Sequence, residues 1–188
     1  MFKLGCWNIW GLNSSQKQKE VQFWTRKNNL DIIGIVEVKV QSQNLSRVTE
    51  GLGMPDWDFI SSGQDPHLLR IMVGWNKKKG SLTCIDRQAQ WITVEVTPID
   101  LSSPYLITFV YGLHTSADRI PLWRYLEQEG ACNSSKDWLV LGDFNAVMRP
   151  TDRAGGNLDW HGHSDHFQAC IQEAQLISLP FTGDGNHG

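Results

Sequence analysis

Residues 138–145 read WLVLGDFN, a stretch in which four apolar residues give way abruptly to polar ones. The apolar part is short and bounded by Gly142, which predicts a buried strand. Asp143 and Asn145 follow on either side of Phe144, so both polar side chains are expected on one side of the strand end. A carboxylate directly after a buried run is costly unless it is paired, hydrogen-bonded or bound to a cation. The stretch therefore predicts a functional site at a strand end, where a rigid sheet can present chemistry.

Three other apolar runs end in the same way. LGCWN ends at Asn8, DIIGIVE ends at Glu37 and LITFVY ends at Tyr111. Each residue taken alone also has an ordinary explanation, as a turn residue, a surface acid or a core tyrosine with a solvated hydroxyl. The repetition of one pattern is what favours a shared site.

Apolar runs typical of strands recur along the chain, with helical stretches between some of them. WITVEV, residues 91–96, alternates as a half-buried antiparallel strand does. LDIIGIV, residues 30–36, is almost continuously apolar and is predicted to be buried on both faces. Helices are predicted over residues 14–27, 117–129 and 164–177. Many strands and few helices predict an α/β fold of packed sheets with helices outside, in a single domain over residues 1–188.

Composition limits the possible classes of function. Hydrophobic residues make up 40% and charged residues 20% of the 188 residues, as in ordinary globular proteins, and no apolar run approaches the roughly 18 residues of a membrane span. The net charge of −3 argues against non-specific DNA wrapping but allows a local basic rim. The one dense basic cluster, Lys77-Lys78-Lys79, is predicted as a solvated hairpin turn ending at Gly80. The four cysteines form no CxxC pair, which predicts free thiols in the nucleus or cytoplasm.

The set of motifs, in its order, resembles the endonuclease/exonuclease/phosphatase superfamily, and more narrowly the endonuclease domain of plant LINE-type (non-LTR) retrotransposons. The resemblance implies a four-layered α-β-β-α sandwich that hydrolyses phosphodiesters in DNA with one divalent ion, Mg²⁺ or Mn²⁺. The motifs that carry it are CWNIWGLN, LDIIGIVEVKV, RIMVGW, FVYGLHTSADRIPLWRYL, WLVLGDFNAV, DRAGG and LPFTG.

The resemblance also implies a role for each polar residue. Glu37 would be the main metal ligand with Asn8 close by, which suits a hard cation that prefers oxygen ligands. Asp143 would orient or deprotonate the attacking water, and Asn145 would hold Asp143 or the phosphate. Tyr111 would donate to a non-bridging phosphate oxygen, and Asn8 is counted with the catalytic residues as well. Phosphodiester hydrolysis needs this combination of charge neutralisation, an aligned nucleophile and leaving-group stabilisation.

Several residues depart from the family pattern. Trp10 stands where many plant members have arginine, Val38 where threonine is usual and His114 where an amide is expected. Leu68-Leu69 precedes RIMVGW, where glycine is usual. Each change weakens phosphate or metal contacts, although none alone removes the site.

The end of the sequence is a further departure. In the family, LPFTG is followed by more strands and a final Ser-Asp-His whose histidine acts as an acid/base or phosphate contact, whereas this sequence stops at Gly188. We therefore expect a C-terminally truncated domain that lacks the last strands. Losing such an acid/base typically costs about 10²–10⁴-fold in rate, so weak or absent activity is expected.

The histidine-rich stretch DWHGHSDHF, residues 159–167, has three possible explanations. Ser164-Asp165-His166 matches the family's catalytic string, but it precedes LPFTG instead of following it. A zinc site of the HxHxDH type would need further ligands downstream. A polar loop and helix start, with Ser164 as N-cap and Asp165 in the first turn, fits the following apolar pattern best.

Two functions of different classes remain open. The first is a Mg²⁺-dependent nicking endonuclease of retrotransposon origin, weak or inactive as it stands. The second is a catalytically dead module that associates with itself, a partner protein or nucleic acid through an exposed sheet edge.

Overall fold

A computed structural model describes residues 2–63, 68–100, 103–133, 135–146 and 164–179. Within these ranges the chain forms two four-stranded sheets and four α-helices, which confirms the predicted α/β sandwich. The elements are β1 (Leu4–Asn8), α1 (Ser15–Lys27), β2 (Ile32–Val40), a 3₁₀ turn (Ser42–Asn44), α2 (Leu45–Gly51), β3 (Trp57–Ser61), β4 (Leu69–Asn76), β5 (Gly80–Arg87), β6 (Trp91–Pro98), β7 (Tyr105–Tyr111), α3 (Ser116–Cys132), β8 (Trp138–Asp143) and α4 (Ser164–Glu173).

Each sheet contains one parallel pair of strands. The first sheet has the order β1-β2-β4-β3, with β1 parallel to β2 and the other pairings antiparallel. The second sheet has the order β5-β6-β7-β8, with β7 parallel to β8. The helices α1 and α3 are the crossovers of these two pairs, because parallel strands need a long connection. The carboxyl ends of both strands of a parallel pair lie at the same edge of their sheet.

The apolar side chains form three clusters, one between the sheets and one between each sheet and its helices. Strand β2 contributes to two of them, with Ile32 and Val36 facing the second sheet and Ile33 and Ile35 facing α1 and α2. Its burial on both faces was predicted from its continuous hydrophobicity. On the outer side of the second sheet, α3 and α4 pack through the cluster that contains Phe167. The sandwich therefore has the predicted order of layers, α-β-β-α.

Several local predictions were wrong for identifiable reasons. Strand β6 is buried on both faces and not half-buried, because α3 covers its outer side and the Tyr125 hydroxyl hydrogen-bonds Thr93. Helix α2 was not predicted, since only Val48 of its seven residues is buried. The lysine-rich turn before Gly80 is a turn as expected, but it connects β4 of the first sheet to β5 of the second and is therefore not a hairpin.

Other expectations are confirmed. Helix α1 lies within the predicted range 14–27, and Ser14 caps it through a hydroxyl that accepts a hydrogen bond from the Lys17 backbone. The four cysteines are all unpaired thiols. Among the residues with described structure, no helix has the length and apolar composition of a membrane span.

We expect Gly34→Ala to destabilise the sandwich, because a Cβ at this position of β2 would lie 2.0 Å from Cδ1 of Phe109 in the facing sheet. Forcing an extra carbon into a packed core typically costs about 1–3 kcal/mol. Urea unfolding should show this loss, and Phe109→Leu in the same chain should recover part of it. Strictly additive effects of the two substitutions, with Phe109→Leu alone as control, would contradict the proposed contact.

Candidate active site

The five polar residues predicted from strand ends converge at one edge of the sandwich, where both parallel pairs finish. Asn8, Tyr111 and Asp143 are the last residues of β1, β7 and β8. The Asn8 amide Nδ2 donates a 2.8 Å hydrogen bond to Asp143 Oδ2, linking the first sheet to the second. Burial raises the pKa of Glu37, and hydrogen bonding by Asn8 acts in the opposite direction and favours the charged form. The backbone N–H of Asn145 donates to Asp143 Oδ1 over 2.9 Å.

Glu37 is positioned by a bulge and not by a strand end, which corrects the sequence prediction. Strand β2 continues to Val40, and its register against β4 shifts between Val36 and Val40. Glu37 and Lys39 lie in the bulge with left-handed φ values of 58° and 49°. Val38 between them is fully buried, so the carboxylate and the ammonium emerge on the same exposed side. Bulges commonly re-aim side chains in this way beside functional sites.

The Glu37 carboxylate is already paired with a cation of the chain. Lys39 Nζ lies 2.8 Å from Glu37 Oε1. Burial alone would raise the pKa of Glu37, but hydrogen bonds from Lys39 and Asn8 and the charges of Lys39 and His114 outweigh it and lower the pKa below its usual value. Glu37 is therefore ionised at neutral pH and available to a second cation only in competition with Lys39.

Both oxygens of Asp143 are held. Oδ2 accepts from Asn8 and Oδ1 accepts from the backbone of Asn145. The Asn145 side chain donates instead to the Gly112 carbonyl, at 2.6 Å, and Gly112 N–H donates to the Asp143 carbonyl at 2.7 Å. Asn145 adopts this position with a φ of 47°. Asn145 thus contacts the Asp143 carboxylate through its backbone N–H. Its side-chain amide connects the end of β8 to Gly112 at the end of β7.

The Tyr111 hydroxyl is buried and has no hydrogen-bond partner among the described residues. Burial raises the pKa of Tyr111, and the negative charges of Glu37 and Asp143 act in the same direction, against Arg70 and a nearby Asn145. The Asn145 amide lies near the hydroxyl, but its hydrogen bond goes to Gly112. Tyr111 therefore remains a protonated phenol at neutral pH. Burying its hydroxyl donor without a partner costs free energy, and such a group in a folded protein requires an explanation. An incoming oxygen atom would supply the missing acceptor.

Three basic side chains at this edge, Lys39, Arg70 and Arg119, are not among the residues predicted from strand ends. Lys39 could have been found, since it follows Glu37 by two residues and alternate strand residues share a face. The Arg70 guanidinium lies 5.8 Å from the Tyr111 ring centroid, and no sequence pattern points to it. Arg119 is 5% exposed and donates to the carbonyls of Leu113 and His114, at 2.7 and 2.9 Å. It thereby fixes the loop after Tyr111.

Cys6 on β1 is not a candidate nucleophile. Burial, followed by the charge of Asp143, raises the pKa of its thiol to about 12. The thiolate is the reactive form of cysteine, so Cys6 is inert at neutral pH.

The oxygen donors at this edge suit one hard divalent ion. In the part of the chain that the structure describes, no three His, Cys, Asp or Glu side chains group as a closed metal site. Mg²⁺ does not require such a cage, because it usually takes one or two carboxylates and keeps several waters. Glu37 and the Asn8 amide are the donors that fit, with Asp143 hydrogen-bonded to Asn8. Two features oppose the ion. Lys39 pairs with Glu37, and the Asn8 amide oxygen already accepts a 3.2 Å hydrogen bond from the Trp10 N–H while its nitrogen faces Asp143.

The histidine-rich stretch lies mostly outside the described residues, which exclude His161 and His163. Helix α4 begins at Ser164, in agreement with the predicted helix start. His166 is exposed in the first turn of α4, and Phe167 packs against Trp123.

Comparisons with known proteins identify the family and agree with the fold. The sequence profile of the Endonuclease/Exonuclease/phosphatase family matches residues 5–176. No curated protein matches the sequence. Among solved structures, the AP endonuclease LMAP from Leishmania major superposes with a TM-score of 0.70 at 14% identity, covering 92% of this chain and 66% of that one. The endonuclease domain of TRAS1, a telomere-specific non-LTR retrotransposon, gives 0.61 at 15% identity, covering 92% and 72%.

A third similar structure is TDP2 from D. rerio complexed with a single-strand DNA product. Its TM-score is 0.55 at 11% identity, with 92% of this chain and 64% of that chain covered. The present chain thus spans 66% of the length of the Leishmania enzyme and 64% of the length of TDP2. At these identities the structural likeness shows the fold, whereas the sequence profile extends over nearly the whole chain. The chain belongs to the Endonuclease/Exonuclease/phosphatase family.

Proposed function

We propose that the chain is a nuclease-type phosphodiesterase that nicks DNA with the help of a divalent ion, Mg²⁺ or Mn²⁺. The observation that carries the proposal is the contact between the sheets, in which Asn8 donates to Asp143 and stabilises the charge of Glu37. Two carboxylates from different sheets are thereby held at one point, beside a buried phenol that has no acceptor among the described residues. DNA as substrate is supported by the DNA product bound to TDP2 and by the activity named for the Leishmania enzyme.

In the proposed reaction, Glu37 and Asn8 would hold the ion. A bound divalent ion supplies positive charge that polarises the phosphoryl oxygens. Asp143 accepts a proton from the attacking water, and the hydrogen bonds from Asn8 and Asn145 fix its orientation. Tyr111 donates its hydroxyl proton in a hydrogen bond to a non-bridging phosphate oxygen, which pairs the unsatisfied donor as negative charge develops.

We further propose a retrotransposon lineage and low activity. The lineage is supported by the ordered motifs and by the structural likeness to the TRAS1 endonuclease domain. Low activity follows from Lys39, because its ammonium contacts the carboxylate that the ion needs. Competition between two cations for Glu37 weakens metal binding and hence the population of competent sites.

Asp143→Ala should lower the rate of Mg²⁺-dependent nicking of supercoiled plasmid by at least about 100-fold, the lower range for loss of a general base. Asp58→Ala is the matched control, since Asp58 is an exposed carboxylate on β3 paired with Lys77. Nicking by the parent chain should disappear in EDTA. Equal rates for the parent and Asp143→Ala chains would reject the site. No nicking by the parent chain in Mg²⁺ or Mn²⁺ would favour the inactive binding module.

Lys39→Met should tighten Mg²⁺ binding by about fivefold, the factor that corresponds to losing an ion pair worth ~1 kcal/mol. Isothermal titration calorimetry measures this directly and needs no substrate. Lys77→Met, which breaks the exposed pair with Asp58, is the control and should leave the affinity unchanged. Unchanged or weaker binding by Lys39→Met would mean that the ion does not use Glu37.

A further inference from the structure

Trp10 is a large aromatic side chain exposed to 76% of its surface directly beside the candidate site. It follows Asn8 by two residues and belongs to the segment that leaves β1. The proposed reaction does not use it, and the core does not need it. A large exposed ring beside the site is suited to contact a ligand that has a flat apolar face.

The backbone holds Trp10 in a fixed relation to the site residues. Its N–H donates to Asn8 Oδ1 at 3.2 Å. On either side, Ile9 N–H donates to the Val36 carbonyl at 3.1 Å and Gly11 N–H donates to the Glu37 carbonyl at 2.8 Å. Trp10 adopts a φ of 47°, a conformation that is unfavourable for a bulky residue. The ring is therefore exposed from a constrained backbone and not from a loose loop.

Lys39 connects the ring to the carboxylate. Its Nζ lies 5.0 Å from the Trp10 ring centroid and 2.8 Å from Glu37 Oε1. A cation at this distance from a ring face is attracted to it, which restricts the motion of both side chains. A nucleotide has a base and a phosphate, and the ring and the cation beside the proposed cleavage site are complementary to these two groups. The ring can stack on a base, while the cation attracts the neighbouring phosphate.

We propose that Trp10 is a stacking platform for an unpaired base of the nucleic-acid substrate, and that the site prefers single-stranded or locally unpaired nucleotides to intact duplex. The inference rests on the proposed nuclease function and specifies its substrate. Within a duplex both faces of a base are covered by its neighbours, so only an unpaired or extruded base can offer a face to the ring. Stacking tolerates any base, because every base has a π-face, and the preference is therefore for strandedness and not for sequence.

The test is fluorescence anisotropy of the full chain with a fluorescein-labelled 12-nucleotide single-stranded DNA, in EDTA so that no cleavage occurs. Trp10→Ala should raise the Kd by about 5- to 150-fold, the range reported by alanine substitution of stacking residues. Trp10→Phe should retain most of the affinity because it keeps a ring. Phe23→Ala is the matched control, since Phe23 is also an exposed aromatic with a lysine near its ring, on helix α1. It should bind as the parent chain does.

Three further probes define the contact and its ligand. For a duplex of the same sequence, the Kd of Trp10→Ala should stay within about twofold of that of the parent chain, since no stacking is lost there. An oligonucleotide of abasic residues should bind the parent chain as weakly as normal single-stranded DNA binds Trp10→Ala. The Kd for single-stranded RNA of the same sequence, compared with that for DNA, shows which of the two nucleic acids supplies the unpaired base.

The inference is overturned if Trp10→Ala binds single-stranded DNA as the parent chain does, or if it loses affinity equally for single strand and duplex. Failure here is distinguishable from failure of the proposed function. Nicking that depends on Asp143 together with unchanged binding by Trp10→Ala rejects only the stacking role. Weakened single-strand binding by Trp10→Ala together with nicking that is insensitive to Asp143 rejects only the catalytic site.

Discussion

One hydrogen bond, from Asn8 Nδ2 to Asp143 Oδ2 at 2.8 Å, joins residues 135 apart in sequence and links the two sheets at the edge that carries the candidate site. Asn8 ends a strand of the first sheet and Asp143 ends a strand of the second. Each sheet separately would present one carboxylate to solvent. The apolar cluster between the sheets, to which Phe109 belongs, sets the spacing across which the Asn8 amide reaches Asp143.

Backbone strain is concentrated at the same edge. Of the six non-glycine residues with positive φ in the described ranges, four surround the site: Trp10, Glu37, Lys39 and Asn145. Such conformations cost of order 1–3 kcal/mol each and persist only where the surroundings enforce them. Here the enforcing contacts are visible, since the Glu37 carbonyl accepts from Gly11 and the Asn145 backbone donates to Asp143. The regular parallel pairs stabilise an edge whose own conformation is unfavourable, and that edge carries the proposed chemistry.

Sequence patterns predicted the elements whose burial is continuous or whose ends are abrupt. Asn8, Tyr111 and Asp143 lie at strand ends as expected, because an apolar run that stops at a polar side chain marks where the sheet stops. The bulge at Glu37 could not be predicted, since a register shift depends on the partner strand β4 and leaves the apolar alternation of EVKV intact. The proximity of Lys39 to Glu37 could have been predicted from their spacing of two residues, whereas the contact of Lys39 with the Trp10 ring could not.

The most direct measurement is anomalous diffraction from crystals grown with Mn²⁺. The proposed site requires one strong peak bonded to the Glu37 carboxylate and near the Asn8 amide, with the Lys39 ammonium moved away from Glu37. Asp143 should remain hydrogen-bonded to Asn8 in the same crystal. Manganese bound elsewhere in the chain, with Lys39 still paired to Glu37, would contradict the assignment of this edge as a metal-assisted phosphodiesterase site.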